Sequence, residues 1–236
     1  MELPVQKRGL VRGSAFGFTC HRCLGCCRHK RIQLNPYEIA RLARNRGTST
    51  TGFITAFTTA GGSILRAQEE GACVFLGSDG CLVHPDRPLV CRLYPLGRHV
   101  DLSGGETFSL FAIEPGSRSL IDEHGVVATY LDAQGAAPFM HAADRYYALL
   151  RDLLETLVRE ADGEPEEPAV LATVAEIAAG DDSRHDLSRI DMDRAVAQYC
   201  SAHHLAEPPE LDARMELHIR ALREWTSAQP PPTTCP

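Results

Sequence analysis

Several familiar features are missing from this chain, and each absence narrows its function. No stretch approaches the roughly 18 consecutive apolar residues that a membrane span needs, so no membrane association is expected. The segment Met1 to Phe18 contains Lys7, Arg8 and Arg12 but no apolar run of signal-peptide length, which gives the expectation of a cytoplasmic protein. Blocks of basic residues are also lacking. The net charge is −7, and apart from the short group Arg28, Lys30 and Arg31 the cations are dispersed, so nucleic acid is not expected as a partner. There is no internal repeat, no glycine-rich phosphate loop, no nucleophile elbow and no dinucleotide fingerprint. No enzyme class is therefore marked by these motifs.

What is present is cysteine. The chain has 236 residues and 44% apolar content, enough for a packed core without covalent staples. It also has nine cysteines. In a reducing compartment such residues are read as metal ligands or redox groups before disulfides. They are not scattered. Cys20, Cys23, Cys26 and Cys27 form C-x2-C-x2-C-C, and Cys73, Cys81 and Cys91 follow at separations of eight and ten positions, leaving only Cys200 and Cys235 outside residues 20–91.

The rest of the chain divides around that cluster. Ile32 to Leu34 suggests a short strand. Asn35-Pro36-Tyr37-Glu38 has the pattern of a helix start, with Asn35 as cap, Pro36 in the first turn and Glu38 three residues on. Ile39, Leu42 and Ala43 give that helix an apolar face, and Gly47 marks its end. A second short helix is expected over Thr51 to Thr59, stopped by Gly61-Gly62. Asp79-Gly80 marks a tight turn, and Glu106 to Ile113 suggests a strand. Helical spacing then dominates: His141 to Ala161, Pro168 to Ala179, Asp191 to His203 and Pro209 to Trp225. Glu164 to Pro168 reads as an acidic link and Gln229 to Pro236 as a proline-rich, disordered tail. The expected fold is mainly α with a small α+β part: an irregular, turn-rich cysteine module with a few short strands over residues 1–120, a helical region over 121–228 and the tail over 229–236.

The spacing carries chemistry. A C-x2-C step on a tight loop lets two thiolates reach one metal. The extension to C-x2-C-x2-C matches the three-ligand run of bacterial ferredoxins, whose fourth cysteine comes from elsewhere. Gly25 allows close approach of the backbone to a metal. Four thiolates in tetrahedral geometry also suit zinc, so residue types alone leave iron and zinc open. Cys26 and Cys27 are adjacent, and adjacent side chains usually diverge. Either one is a spare thiol or the two serve neighbouring metal positions. His84, three residues after Cys81, is a further candidate donor. Arg87 and Arg92 flank Cys91 and suggest either compensation of thiolate charge or a bridge between loop carbonyls, with compensation preferred. Cys200 is expected to be a buried apolar residue on a helix.

These motifs resemble a known family. The run Cys20 to Cys27, then Gly71-Ala-Cys73-Val-Phe-Leu, then Gly80-Cys81-Leu-Val-His-Pro-Asp-Arg87-Pro88-Leu-Val-Cys91-Arg92-Leu-Tyr-Pro95-Leu-Gly is similar to the YkgJ family of cysteine cluster proteins, described as zinc- or iron-chelating. The resemblance covers about Phe18 to Arg98. Many relatives carry glycine directly after the second cysteine, where this chain has Leu24. The flagellin lysine methylases resemble the family in their cysteine-rich part, and for them an iron–sulfur cluster is implied.

Two function classes follow. The first is a metal-cofactor protein in which Cys20, Cys23, Cys26, Cys27, Cys73, Cys81 and Cys91 supply the ligands of an iron–sulfur cluster, 4Fe–4S by preference, with redox or electron-transfer use. The second is a module with structural zinc (Zn2+) whose helical region meets a protein partner. No reaction or catalytic residue is marked.

Overall fold

The computed structural model describes residues 4–21, 23–59, 62–101, 103–160 and 189–227. The expected helix at Pro168 to Ala179, the acidic link and the proline-rich tail lie outside the described residues. The chain forms two compact units that interleave along the sequence: residues 1–32 with 65–140, and residues 33–64 with 141–236. The segment 33–64, which the sequence groups with the cysteines, is counted with the helical region.

The first unit rests on antiparallel pairing. Strand β1 (Val5–Leu10) and strand β2 (Ala15–Thr19) precede the cysteine run; β3 (Leu76–Gly77) and β4 (Gly80–Cys81) form a hairpin; helix α3 (Leu89–Leu93) follows, then β5 (Leu96–Val100), β6 (Glu106–Phe111), β7 (Leu120–Val126) and helix α4 (Val127–Ala133). Strand β6 lies between β1 and β5, with Leu10 opposite Phe108 and Leu96 opposite Leu110. Gly97 on β5 is required by packing, because a Cβ there would sit 2.5 Å from the Phe111 ring. Strand β2 pairs with β7, Phe18 opposite Ile121. Leu10, Phe16, Leu93, Leu96, Phe108, Val127, Tyr130, Leu131 and Met140 form one buried cluster, with the Phe16 ring edge-on to Tyr130 at 5.0 Å.

The second unit is helical. Helix α1 (Pro36–Asn45) has the expected capping box: Asn35 accepts from the Glu38 N–H, and the Glu38 carboxylate accepts from the Asn35 N–H, each at 3.0 Å. Its apolar face, with Ile39, Leu42 and Ala43, is buried. Helix α2 (Thr50–Phe57) starts at a Ser49 cap. Asp191 caps helix α6 (Met192–Ala202) and also accepts the hydroxyls of Thr50 and Thr51, both at 2.5 Å. Helix α7 (Leu211–Ser227) buries Met215, His218 and Ile219. Helix α5 (Ala137–Glu160) begins four residues before the expected start at His141, and Ala161 lies outside the described residues.

One expectation is corrected. The protein is mixed α+β, not mainly α. Strands β1, β2, β5 and β7 escaped the sequence reading for a shared reason. Their pairing is made by backbone bonds, and their burial follows no clean alternation: β1 exposes four consecutive residues, Gln6 to Gly9.

Candidate metal centre

The six cysteines from Cys23 to Cys91 are half-buried and Cys20, just past the end of β2, is exposed. Leu24 then adopts φ +64°, a left-handed conformation that favours glycine, at the position where many relatives of the resembled family have one. This reversal starts a single 3-10 turn, Gly25–Cys27, closed by Cys27 N–H to Leu24 O and Arg28 N–H to Gly25 O, both 3.1 Å. The turn brings the adjacent sulfurs of Cys26 and Cys27 to 3.9 Å. The expectation that these side chains diverge is therefore corrected, because the tight turn overrides the usual alternation.

Backbone bonds deliver the second group of thiols to the first. Cys73 N–H donates to Cys27 O at 2.8 Å, and His29 N–H to Gly71 O at 2.7 Å. A turn from Cys73 to Leu76 leads into the β3–β4 hairpin, whose pairing sets Cys81 opposite Leu76. Phe75 and Val83 anchor this stretch in the core. Cys91 rides on the short helix α3.

The electrostatics link six of the seven thiols. Cys23 is pulled down to about 7, first by the Ser117 hydroxyl at 3.1 Å and then by the Gly25 N–H, against the opposing effect of burial. Cys26 is lowered by a hydrogen bond from the Cys27 thiol, while burial and the charge of Cys23 oppose. Cys27 is raised, first because it holds the proton given to Cys26, then by burial and by the charges of Cys26, Cys91 and Cys81. Burial raises Cys73 and Cys81; the Cys81 charge adds to the first, and Cys26 to the second, where Arg87 partly offsets it. Every one of these six either repels or is repelled by another member of the set.

Residues 19–108 match the model of the CxxCxxCC family. The family whose model they match is described as "Putative zinc- or iron-chelating domain". Comparison with curated proteins and with solved structures finds no match. All seven clustered cysteines fall inside the matched residues, and Cys200, buried on α6, falls outside them. Among the described residues, no three His, Cys, Asp or Glu side chains already converge as a formed metal site.

Arg92 is a loop clamp within the matched residues. It is 5% exposed and donates to Arg87 O at 3.0 Å, to Gln134 O at 2.7 Å and to Pro85 O, with its guanidinium 3.9 Å from the Phe139 ring centre. This bridging of carbonyls replaces the preferred reading of charge compensation for Arg92. Arg87 does act on Cys81 through its charge, and it also holds Gln134 Oε1 at 2.6 Å. His84 is exposed and its ring lies 3.4 Å from the Arg87 guanidinium.

The sequence reading missed Ser117, Ser119, Glu114 and Lys30. Ser117 bonds Cys23, and Lys30 pairs with Glu114, whose charge reaches Cys26. Three of them lie past residue 108, outside every cysteine spacing, so no pattern in the sequence points to them.

Proposed function

We propose that this protein holds a metal centre on cysteine thiolates drawn from both cysteine segments, Cys20 to Cys27 and Cys73 to Cys91, and that the centre is an iron–sulfur cluster of 4Fe–4S type. The observation that carries this reading is the bond from Cys73 N–H to Cys27 O at 2.8 Å, which brings the second group of half-buried thiols against the first. Six half-buried thiols that repel one another when ionised lose that repulsion when a cation sits among them. The donor set fits the group: it is all thiol, it exceeds the four sulfurs of one cluster, and the Cys26 and Cys27 sulfurs stand 3.9 Å apart.

A cluster bound there supplies one-electron redox chemistry. The chain's own residues would hold it, shield it partly from water and set its charge balance, with Arg87 offsetting thiolate charge near Cys81. Electron transfer within the cytoplasm is the use proposed.

A specific observation favours a second reading. Two thiolates about 2.3 Å from one tetrahedral ion stand about 3.8 Å apart, close to the 3.9 Å between Cys26 and Cys27. This supports a structural zinc site, with the helical second unit as the surface for a protein partner. Purification without oxygen, followed by an absorption spectrum and assays of iron, acid-labile sulfide and zinc, separates the two. Brown protein with about four irons and four sulfides per centre is the expected result. Colourless protein with stoichiometric zinc that refuses cluster reconstitution overturns the cluster in favour of zinc.

A further inference from the structure

The Cys23 sulfur is contacted by a loop from outside the matched residues. After β6 the chain makes a turn from Glu114 to Ser117, closed by Ser117 N–H to Glu114 O at 2.9 Å. Glu114 is fixed twice. Its carboxylate pairs with Lys30 Nζ, and its N–H donates to the Tyr94 hydroxyl at 3.1 Å. Its Cβ also packs against Gly25, where an added Cβ would lie 3.4 Å away. The loop is therefore seated on the same 3-10 turn that presents Cys26 and Cys27.

From that seat it delivers donors to one sulfur. Ser117 Oγ lies 3.1 Å from Cys23 Sγ. The same oxygen accepts the Ser119 N–H at 3.1 Å, so its own hydrogen is left to point elsewhere. A metal-bound thiolate carries no proton and can only accept, which makes Ser117 the donor in loaded protein. The N–H groups of Gly25 and Arg118 and the hydroxyl of Ser119 also favour the thiolate form of Cys23. Ser119 is itself buried.

We propose, on the reading of this module as a thiolate metal centre, that the loop Glu114–Ser119 is part of that centre, with Ser117 as a positioning residue that fixes the Cys23 sulfur and draws charge from it. Groups in this second layer around a metal orient the ligand, and losing one typically costs 10–100-fold in metal affinity. Hydrogen bonds to the sulfurs also set the reduction potential of a cluster. Ligation by Cys23 thus depends on residues that no cysteine motif includes.

The experiment compares full-length protein with Ser117→Thr and Ser117→Val, two variants of the same shape that differ in having or lacking the hydroxyl. Metal per chain is measured first, then the EDTA concentration that removes half of it, then the thiolate-to-metal charge-transfer band in iron-loaded or cobalt(II)-loaded protein. Ser117→Thr should match the wild type within about twofold. Ser117→Val should release metal at about tenfold less EDTA or lower, with its band moved to longer wavelength because the sulfur lone pair has lost a donor. Equal EDTA midpoints and equal bands for Val and Thr overturn the proposal while leaving the metal centre intact. Wild-type protein that binds no metal overturns the metal-centre reading instead. Should Ser117→Val fail to fold, Ser119→Ala, which removes the second hydroxyl, takes its place with the same two outcomes.

Discussion

The sulfurs of Cys26 and Cys27 face each other at 3.9 Å although their residues are neighbours in the chain. A single 3-10 turn after a left-handed Leu24 produces this, and it makes both thiols available to one centre. Cys26→Ser and Cys27→Ser should each lower the metal content by half or more, since an alcohol replaces thiolate poorly. Elemental analysis of the two purified variants checks it; full metal in either identifies that thiol as a bystander.

Leu24 bears a related expectation. A non-glycine residue in the left-handed region costs roughly 1–2 kcal/mol, and a β-branched one more. Leu24→Gly should leave metal content unchanged, whereas Leu24→Val should lower both metal content and melting temperature. Identical melting curves for the Gly and Val variants would show that this conformation is not held in solution.

Buried Arg92 bridges three carbonyls from Pro85, Arg87 and Gln134, and so holds the segment that carries Cys91. Each buried acceptor left unpaired costs about 1–3 kcal/mol. Arg92→Ala should therefore destabilise the first unit by about 3–5 kcal/mol and reduce bound metal. Arg92→Lys should recover only part of this, because an ammonium cannot reproduce the planar fork. Urea unfolding monitored at 25 °C reads both values.

In the second unit, His218 is fully buried between Tyr146 and the Arg189 carbonyl, each at 2.8 Å. The carbonyl must accept from Nε2–H, and burial keeps the ring neutral, which leaves Nδ1 to accept from the Tyr146 hydroxyl. Burial lowers this histidine from 6.5 to about 4. The unfolded chain takes up the proton first as pH falls, so stability is full above pH 6.5 and declines between 6.5 and 4, by about 3 kcal/mol at most. Unfolding of wild type at pH 7 and pH 5 should show the loss. His218→Gln should flatten it, and an unchanged slope in that variant would assign the acid sensitivity elsewhere.

Much of this was legible in the sequence, for identifiable reasons. The Asn35–Glu38 capping box and the Asp191 cap use local chemistry that needs no tertiary information, and both helices start where those residues stand. The cysteine spacing likewise pointed to the module that the family match covers. What could not be read depends on distant contacts. The polar strand β1 is specified by its partner Phe108–Phe111 segment more than by its own pattern. Ser117 meets Cys23 across 94 positions of chain. The role of Arg92 followed from where the Gln134 carbonyl falls, not from its place beside Cys91.

The central claim is that thiolates from both cysteine segments, Cys20 to Cys27 and Cys73 to Cys91, share one metal centre, and metal per chain in four proteins purified without oxygen tests it most directly. Wild type, Cys23→Ser and Cys91→Ser should be compared, with Cys200→Ser as the control from the buried face of α6. The expected result is a full centre in wild type and Cys200→Ser and loss of most metal in the other two. Metal-free wild type, or full metal in both Cys23→Ser and Cys91→Ser, would contradict it.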